Sequence, residues 1–194
     1  MTSMERSPNE HRLAEDHRSL DALIAQLCDA LEELDVERSF ARLDLVWARL
    51  AVHIRAEHLC LFPALLDAAR QLSTDQGNTP QLDEVQNIIN RLRHDHDFFM
   101  VELARAVNTL RQMMDSQDSD PVEEQLRGIQ QMIAVLKARL AEHNQLEEEQ
   151  VYRWPAALFD SAGQAQLAEC ARREIENRPP RFAGDGARQA VSHR

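Results

Sequence analysis

Two stretches of the chain, His53-x-x-x-Glu57 and His143-x-x-x-Glu147, each set an imidazole and a carboxylate four residues apart, one turn of a helix. Each follows, at a distance of one long segment, an Asp-His pair: Asp16-His17 before the first and Asp95-His96 before the second. The repeat therefore offers four His and two Glu, the nitrogen and oxygen donors that hold divalent metals. Spacing alone decides little, because an i,i+4 His-Glu pair is also an ordinary surface contact. His11 with Glu15 is a third instance; it lies off its helical stripe and reads as solvated.

Position separates the other two pairs. Apolar residues recur at spacings of three and four in four long segments, the pattern of helices that pack along one stripe. The first runs Leu13, His17, Leu20, Ile24, Leu27, Leu31, Leu34, and the second Leu43, Val46, Leu50, His53, Glu57, Cys60, Ala64. The third runs Leu82, Val85, Ile89, Leu92, His96, Phe99, Leu103, Ala106, Leu110, and the fourth Val122, Leu126, Ile129, Ile133, Leu136, Leu140, His143, Glu147. His17, His53, Glu57, His96, His143 and Glu147 thus sit within apolar seams. A carboxylate taken out of water without a partner costs several kcal/mol, so such a seam needs a compensating positive centre, which metal cations supply.

Turn chemistry divides the segments around Asp35 to Ser39, at Ser73 to Pro80, and at Asp115 to Pro121, where Asp120-Pro121 is a good cap for the fourth helix. Four helices of about 25 to 35 residues joined by short loops predict an all-α, up-down-up-down four-helix bundle over residues 9–160. Residues 161–194 are expected to add a short helix, Gln164 to Asn177, and a disordered tail from Arg178; residues 1–7 should fray. Registry supports a single layer of ligands. Glu57 lies 15 residues before Leu72 and His96 lies 15 after Gln81, so both stand about 22 Å from the intervening turn at 1.5 Å per residue.

Composition removes other classes. Five Gly, seven Pro and few aromatics beside 43% hydrophobic residues disfavour an all-β fold. With 22 Lys plus Arg against 33 Asp plus Glu, the net charge of -11 repels a phosphate backbone, and nucleic acid is not an expected partner. No stretch reaches the 18 or so apolar residues of a membrane span, and the start, MTSMERSPNEHR, lacks the apolar core of a secretory signal. A cytoplasmic protein without membrane partners is expected. Cys28, Cys60 and Cys170 are odd in number and widely spaced, which predicts reduced, structural thiols.

HDHDFF on the third helix, HIRAEHLCLFP on the second and HNQLEEEQVYRWP on the fourth resemble the motifs of the hemerythrin-like HHE cation-binding family. The resemblance covers roughly residues 9 to 160 and implies a non-haem di-iron centre. It assigns His17, His53, His96 and His143 as terminal ligands, with Glu57 and Glu147 bridging two iron ions; an oxo or hydroxo bridge would complete the set. Zn or Mn could occupy the same donors. Oxygen-carrying members place two His four residues apart on the third helix and pair His with Asp on the fourth. Here those positions are Leu92, Met100 and Glu147, and His94, about 160° round the helix from His96, is no substitute. The set is more similar to the bacterial repair-of-iron-centres proteins, although with at most a dozen residues before the first helix their small extra N-terminal domain is not expected.

The resemblance implies a protein that binds or reacts with O2, NO or peroxide in oxidative or nitrosative stress, or that handles iron. A metal-dependent sensor or interaction module and an oxygen store are the alternatives, and no catalytic residue is identified. Four His and two Glu should leave a vacancy on both ions. Elsewhere, Asp16 and Asp95 either orient imidazoles as acceptors or face water. His58, Glu148 and Glu149 read as solvated, Trp47 and Phe99 as core, Cys60 as a small core residue, and Tyr152 as too far from the centre to act there.

Overall fold

The computed structural model describes residues 8–72, 80–115 and 122–177, and no strand occurs among them. Helix α1 spans Pro8–Glu32 and α2 Val36–Ala56; a π-helical stretch, Glu57–Leu61, leads into α3, Phe62–Leu72. Helix α4 spans Leu82–Asp115 and α5 Val122–Glu149. A single 3₁₀ turn, Val151–Arg153, then precedes α6, Trp154–Leu158, and α7, Ser161–Glu176. The side chain of His11, the cap expected at Asp120-Pro121, the fraying of residues 1–7 and the tail from Arg178 fall outside the described residues.

Helix α1 packs on α2 and α5, and α4 packs on the same two, so four long helices enclose a common interior. Their apolar stripes form two clusters. One contains Leu20, Ile24, Leu43, Leu50, Phe99, Leu103, Ile133 and Leu140; the other contains Leu13, Ala56, Phe62, Ile89, Leu92, Val151 and Tyr152. Along the chain the predicted ligand of each long helix falls between them: His17 between Leu13 and Leu20, His53 between Leu50 and Ala56, His96 between Leu92 and Phe99, and His143 between Leu140 and Val151, the last in the turn just past α5. The polar layer is therefore walled by apolar packing on both sides.

Two local features depart from simple periodicity. Helix α1 stops at Glu32, and Leu34, expected in its stripe, takes a left-handed φ of 58° and is 48% exposed. That conformation lets the Asp35 N–H reach the Ala30 carbonyl at 3.1 Å, the usual way a helix end is closed. Asp35 then caps α2, accepting from the Arg38 N–H at 2.9 Å. The second predicted helix is interrupted by the π stretch, in which the Phe62 N–H reaches back to the Glu57 carbonyl. Pro63 supplies a cause: its ring would clash with the Leu59 carbonyl in a regular helix, and one wider turn relieves it. A period of three and four does not register that single extra residue.

The cysteines overturn an expectation. Cys60 and Cys170 form a disulfide across 110 residues of chain, with Cα atoms 5.9 Å apart, and only Cys28 is free. Helix α7 folds back against α1, α2 and the π stretch, and sends Leu167 and Ile175 into the second apolar cluster. Linear spacing contains no sign of that return. Arg55 fixes it further, donating to Glu174 Oε2 at 2.7 Å and to the Glu174 and Asn177 carbonyls. Helix α7 is thus tied to the chain on both sides of Glu57. No described helix is long and apolar enough to cross a membrane.

Candidate metal centre

Each of the four long helices brings one imidazole to the polar layer: His17 from α1, His53 from α2, His96 from α4 and His143 from α5. Glu57 enters at the first residue of the π stretch and Glu147 one turn beyond His143. All six are at most 3% exposed, and both Glu are fully buried. The residues predicted from the sequence are therefore brought together without exception.

Their donor atoms fall into two groups. His17 Nε2 and His53 Nε2 lie 3.1 Å apart, and His96 Nε2 and His143 Nε2 lie 3.0 Å apart. The carboxylates divide their oxygens between these pairs. Glu57 Oε1 is 3.6 Å from His53 Nε2, and its Oε2 is 3.3 Å from His96 Nε2. Glu147 Oε2 is 3.2 Å from His17 Nε2, and its Oε1 is 3.1 Å from His143 Nε2. Glu57 Oε2 and Glu147 Oε1 nonetheless make no hydrogen bond, although fully buried. Nitrogen and oxygen donors converging on one layer, with a buried oxygen of each carboxylate left without a hydrogen-bond partner, are suited to a cation. Two overlapping groups have donors close enough to share an ion: Glu57, His96, His143 and Glu147, and His17, His53 and Glu147.

The outer nitrogen of every ring is also engaged, which leaves Nε2 to face inward. Asp16 Oδ2 partners His53 Nδ1 at 3.1 Å, and Asp95 Oδ2 partners His143 Nδ1 at 3.3 Å. Arg49 donates to Asp16, and Arg139 Nε donates to Asp95 at 2.8 Å. Of the two readings open for Asp16 and Asp95, the acceptor role is the one adopted. Glu148 Oε1 partners His17 Nδ1 at 3.0 Å, and His58 Nε2 partners His96 Nδ1 at 2.9 Å. His58 and Glu148, expected to be solvated, are half-buried and belong to the centre; Glu149 is exposed as expected. Such outer partners fix ring orientation and strengthen a ligand.

Charge follows from this packing. Burial works against ionisation at His53, yet the charges of Glu57 and Asp16 and their hydrogen bonds hold it well above the ordinary imidazole range. His17 and His143 are raised against burial by Glu147, with help from Glu148 and Asp95 respectively. Burial disfavours charge at Glu57, and His53 and His96 outweigh it, lowering its carboxyl well below the usual range. Glu147 is lowered too, against both burial and the charge of Glu57, by His143 and His17.

Tyr152 corrects the sequence reading most directly. The turn that ends α5 swings it back over the layer, fully buried, with its ring 5.6 Å from that of His17. Its hydroxyl donates to Glu57 Oε1 at 2.7 Å and also lies 3.1 Å from Glu147 Oε2. A uniform helix would carry residue 152 away from residue 147; the 3₁₀ turn does not. Arg49 and Arg139 were missed as well, although their signal is present: Ala-Arg-Leu-Ala-x-His-x-x-x-Glu occurs at both 48–57 and 138–147. Phe99 is core as expected and meets His143 edge-on, while Trp47 is half-buried beside the first cluster.

Fold and site together define an all-helical protein with a buried His and Glu cluster built to hold cations. The hemerythrin HHE cation-binding domain model matches residues 9–155, and the chain belongs to that family. No curated protein and no solved structure matches the chain.

Proposed function

We propose that the chain is a dinuclear non-haem iron protein whose centre binds or reacts with O2, NO or peroxide, in oxidative or nitrosative stress response or in iron handling. The observation that carries this reading is the division of both carboxylates, each turning one oxygen to His17 and His53 and the other to His96 and His143. A single ion would use one such group and leave the other carboxylate oxygens stranded. His17, His53, His96 and His143 would be terminal ligands and Glu57 and Glu147 bridges, in an up-down-up-down four-helix arrangement within a cytoplasmic protein. Two iron ions, when bound, supply one-electron redox changes and coordination positions for small molecules.

The chain's own residues set the rest. Asp16, Asp95, Glu148 and His58 hold the rings, and Arg49 and Arg139 hold the two aspartates. Phe62, stacked on His96 at 6.0 Å, and Phe99, edge-on to His143 at 5.3 Å, keep the surroundings apolar. With every proposed ligand buried, a bulky substrate has no direct approach, which favours a diatomic or a peroxide. Stopped-flow mixing of reduced, iron-loaded protein with O2, NO and hydrogen peroxide should change its visible spectrum with at least one of them. Identical spectra before and after all three would contradict the reading.

A further inference from the structure

We propose that Tyr152 is a seventh protein ligand, binding through its phenol oxygen the ion held by His17 and His53, and that the ion held by His96 and His143 is the one open to small molecules. The inference rests on the dinuclear reading above. Tyr152 Oη lies 3.1 Å from His17 Nε2, 3.4 Å from His53 Nε2, 2.7 Å from Glu57 Oε1 and 3.1 Å from Glu147 Oε2. Those four atoms are the complete proposed donor set of one ion. In an octahedron with bonds of about 2.1 Å, neighbouring donors stand about 3.0 Å apart, the bond length multiplied by the square root of two. The His17 to His53 and His17 to Glu147 separations, 3.1 and 3.2 Å, have that size. The four distances from Tyr152, 2.7 to 3.4 Å, bracket that value, as a donor at the apex over the other four would.

The internal repeat provides the control. Tyr152 lies five residues after Glu147, and Phe62 lies five residues after Glu57. Each ring stacks on an imidazole of its own side, Tyr152 on His17 and Phe62 on His96, the latter with planes 12° apart. Both side chains are fully buried. Phe62 has no donor atom, and on its side Glu57 Oε2 and Glu147 Oε1 have no hydrogen-bond partner. His58 does not fill the gap, since its Nε2 is engaged at the outer nitrogen of His96. Two imidazoles, two carboxylate oxygens, Tyr152 and a solvent bridge complete six positions on the first ion. The same count without a phenol leaves five on the second. This replaces the expectation of a vacancy on both. As the ion enters, the Tyr152 O–H bond breaks, the oxygen to metal bond forms, and the proton now donated to Glu57 leaves to solvent.

Tyr152 is the only tyrosine in the chain, so a tyrosinate signal has one source. The test is visible absorption and resonance Raman spectroscopy of the full chain loaded with ferric iron, with iron counted in the same sample and azide as the probe ligand. The wild type should show a phenolate-to-iron charge-transfer band with enhanced tyrosinate ring modes and should bind one azide per chain. Tyr152→Phe should lose band and ring modes and bind two azides. Phe62→Tyr should gain a second phenolate and lose azide binding. Two irons per wild-type chain without tyrosinate modes would overturn this assignment alone. One iron or none after reconstitution would overturn the dinuclear reading and the assignment with it. Because the wild-type spectrum decides the matter by itself, the result stands even if a variant does not fold.

Discussion

His53 Nδ1 donates to Asp16 at 3.1 Å, although the sequence neighbour of Asp16 is His17. Consecutive residues on a helix point about 100° apart, so an Asp beside a ligand cannot serve that ligand and instead reaches the facing helix. Asp95 does the same for His143. Burial would raise the Asp16 carboxyl, but the hydrogen bond and charge of His53, with Arg49, keep it below the ordinary carboxylate range. It therefore stays an ionised acceptor.

Asp16→Ala and Asp95→Ala should each weaken metal binding about 10- to 100-fold while leaving the helical content intact. Competition with a chelator, followed beside circular dichroism, measures both. His94→Ala provides the comparison, because His94 is exposed and should leave affinity unchanged. Equal affinities for all three variants would refute the orienting role.

Metal removal should cost stability in a pH-dependent way. In the apo protein His17, His53 and His143 have raised values. Their contribution is complete below the ordinary imidazole range and is lost as pH rises through the raised values. Glu57 and Glu147 are lowered, so theirs is present above the ordinary carboxylate range and is lost on acidification through the lowered values. Protons also compete with metal for the imidazoles. The melting-temperature difference between loaded and apo protein should therefore grow between about pH 5 and pH 9. Calorimetry showing a constant or shrinking difference would contradict this.

Reducing the Cys60–Cys170 disulfide should lower the melting temperature of the loaded protein by roughly 5 to 15 °C, because it closes a long loop in the unfolded chain. Cys28→Ser should show the same drop on reduction. An unchanged transition in protein shown by thiol counting to be fully reduced would mean that Arg55 and apolar packing hold α7 unaided.

The helical class, the apolar seams and all six proposed ligands were legible because a 3.6-residue period places buried positions, and His or Glu at such positions is conspicuous. What could not be read depends on breaks in that period. Tyr152 reaches the layer only because α5 ends at Glu149 and tightens into a 3₁₀ turn, and the π stretch at Glu57 depends on one extra residue per turn. The pairing of Cys60 with Cys170 depends on a helix returning from 110 residues away. His58 and Glu148 looked like surface charges because each follows a ligand by one position, and the facing helix that gives each its partner is set by tertiary packing.

The most direct test of the dinuclear account is metal analysis of the full chain after anaerobic iron reconstitution and removal of loose metal. The account predicts about two irons per chain for the wild type and a clear loss for Glu57→Ala and Glu147→Ala, as in other bundles with paired metals and bridging carboxylates. Fewer than about 0.3 irons per wild-type chain, or a count unchanged by both Glu substitutions, would contradict it.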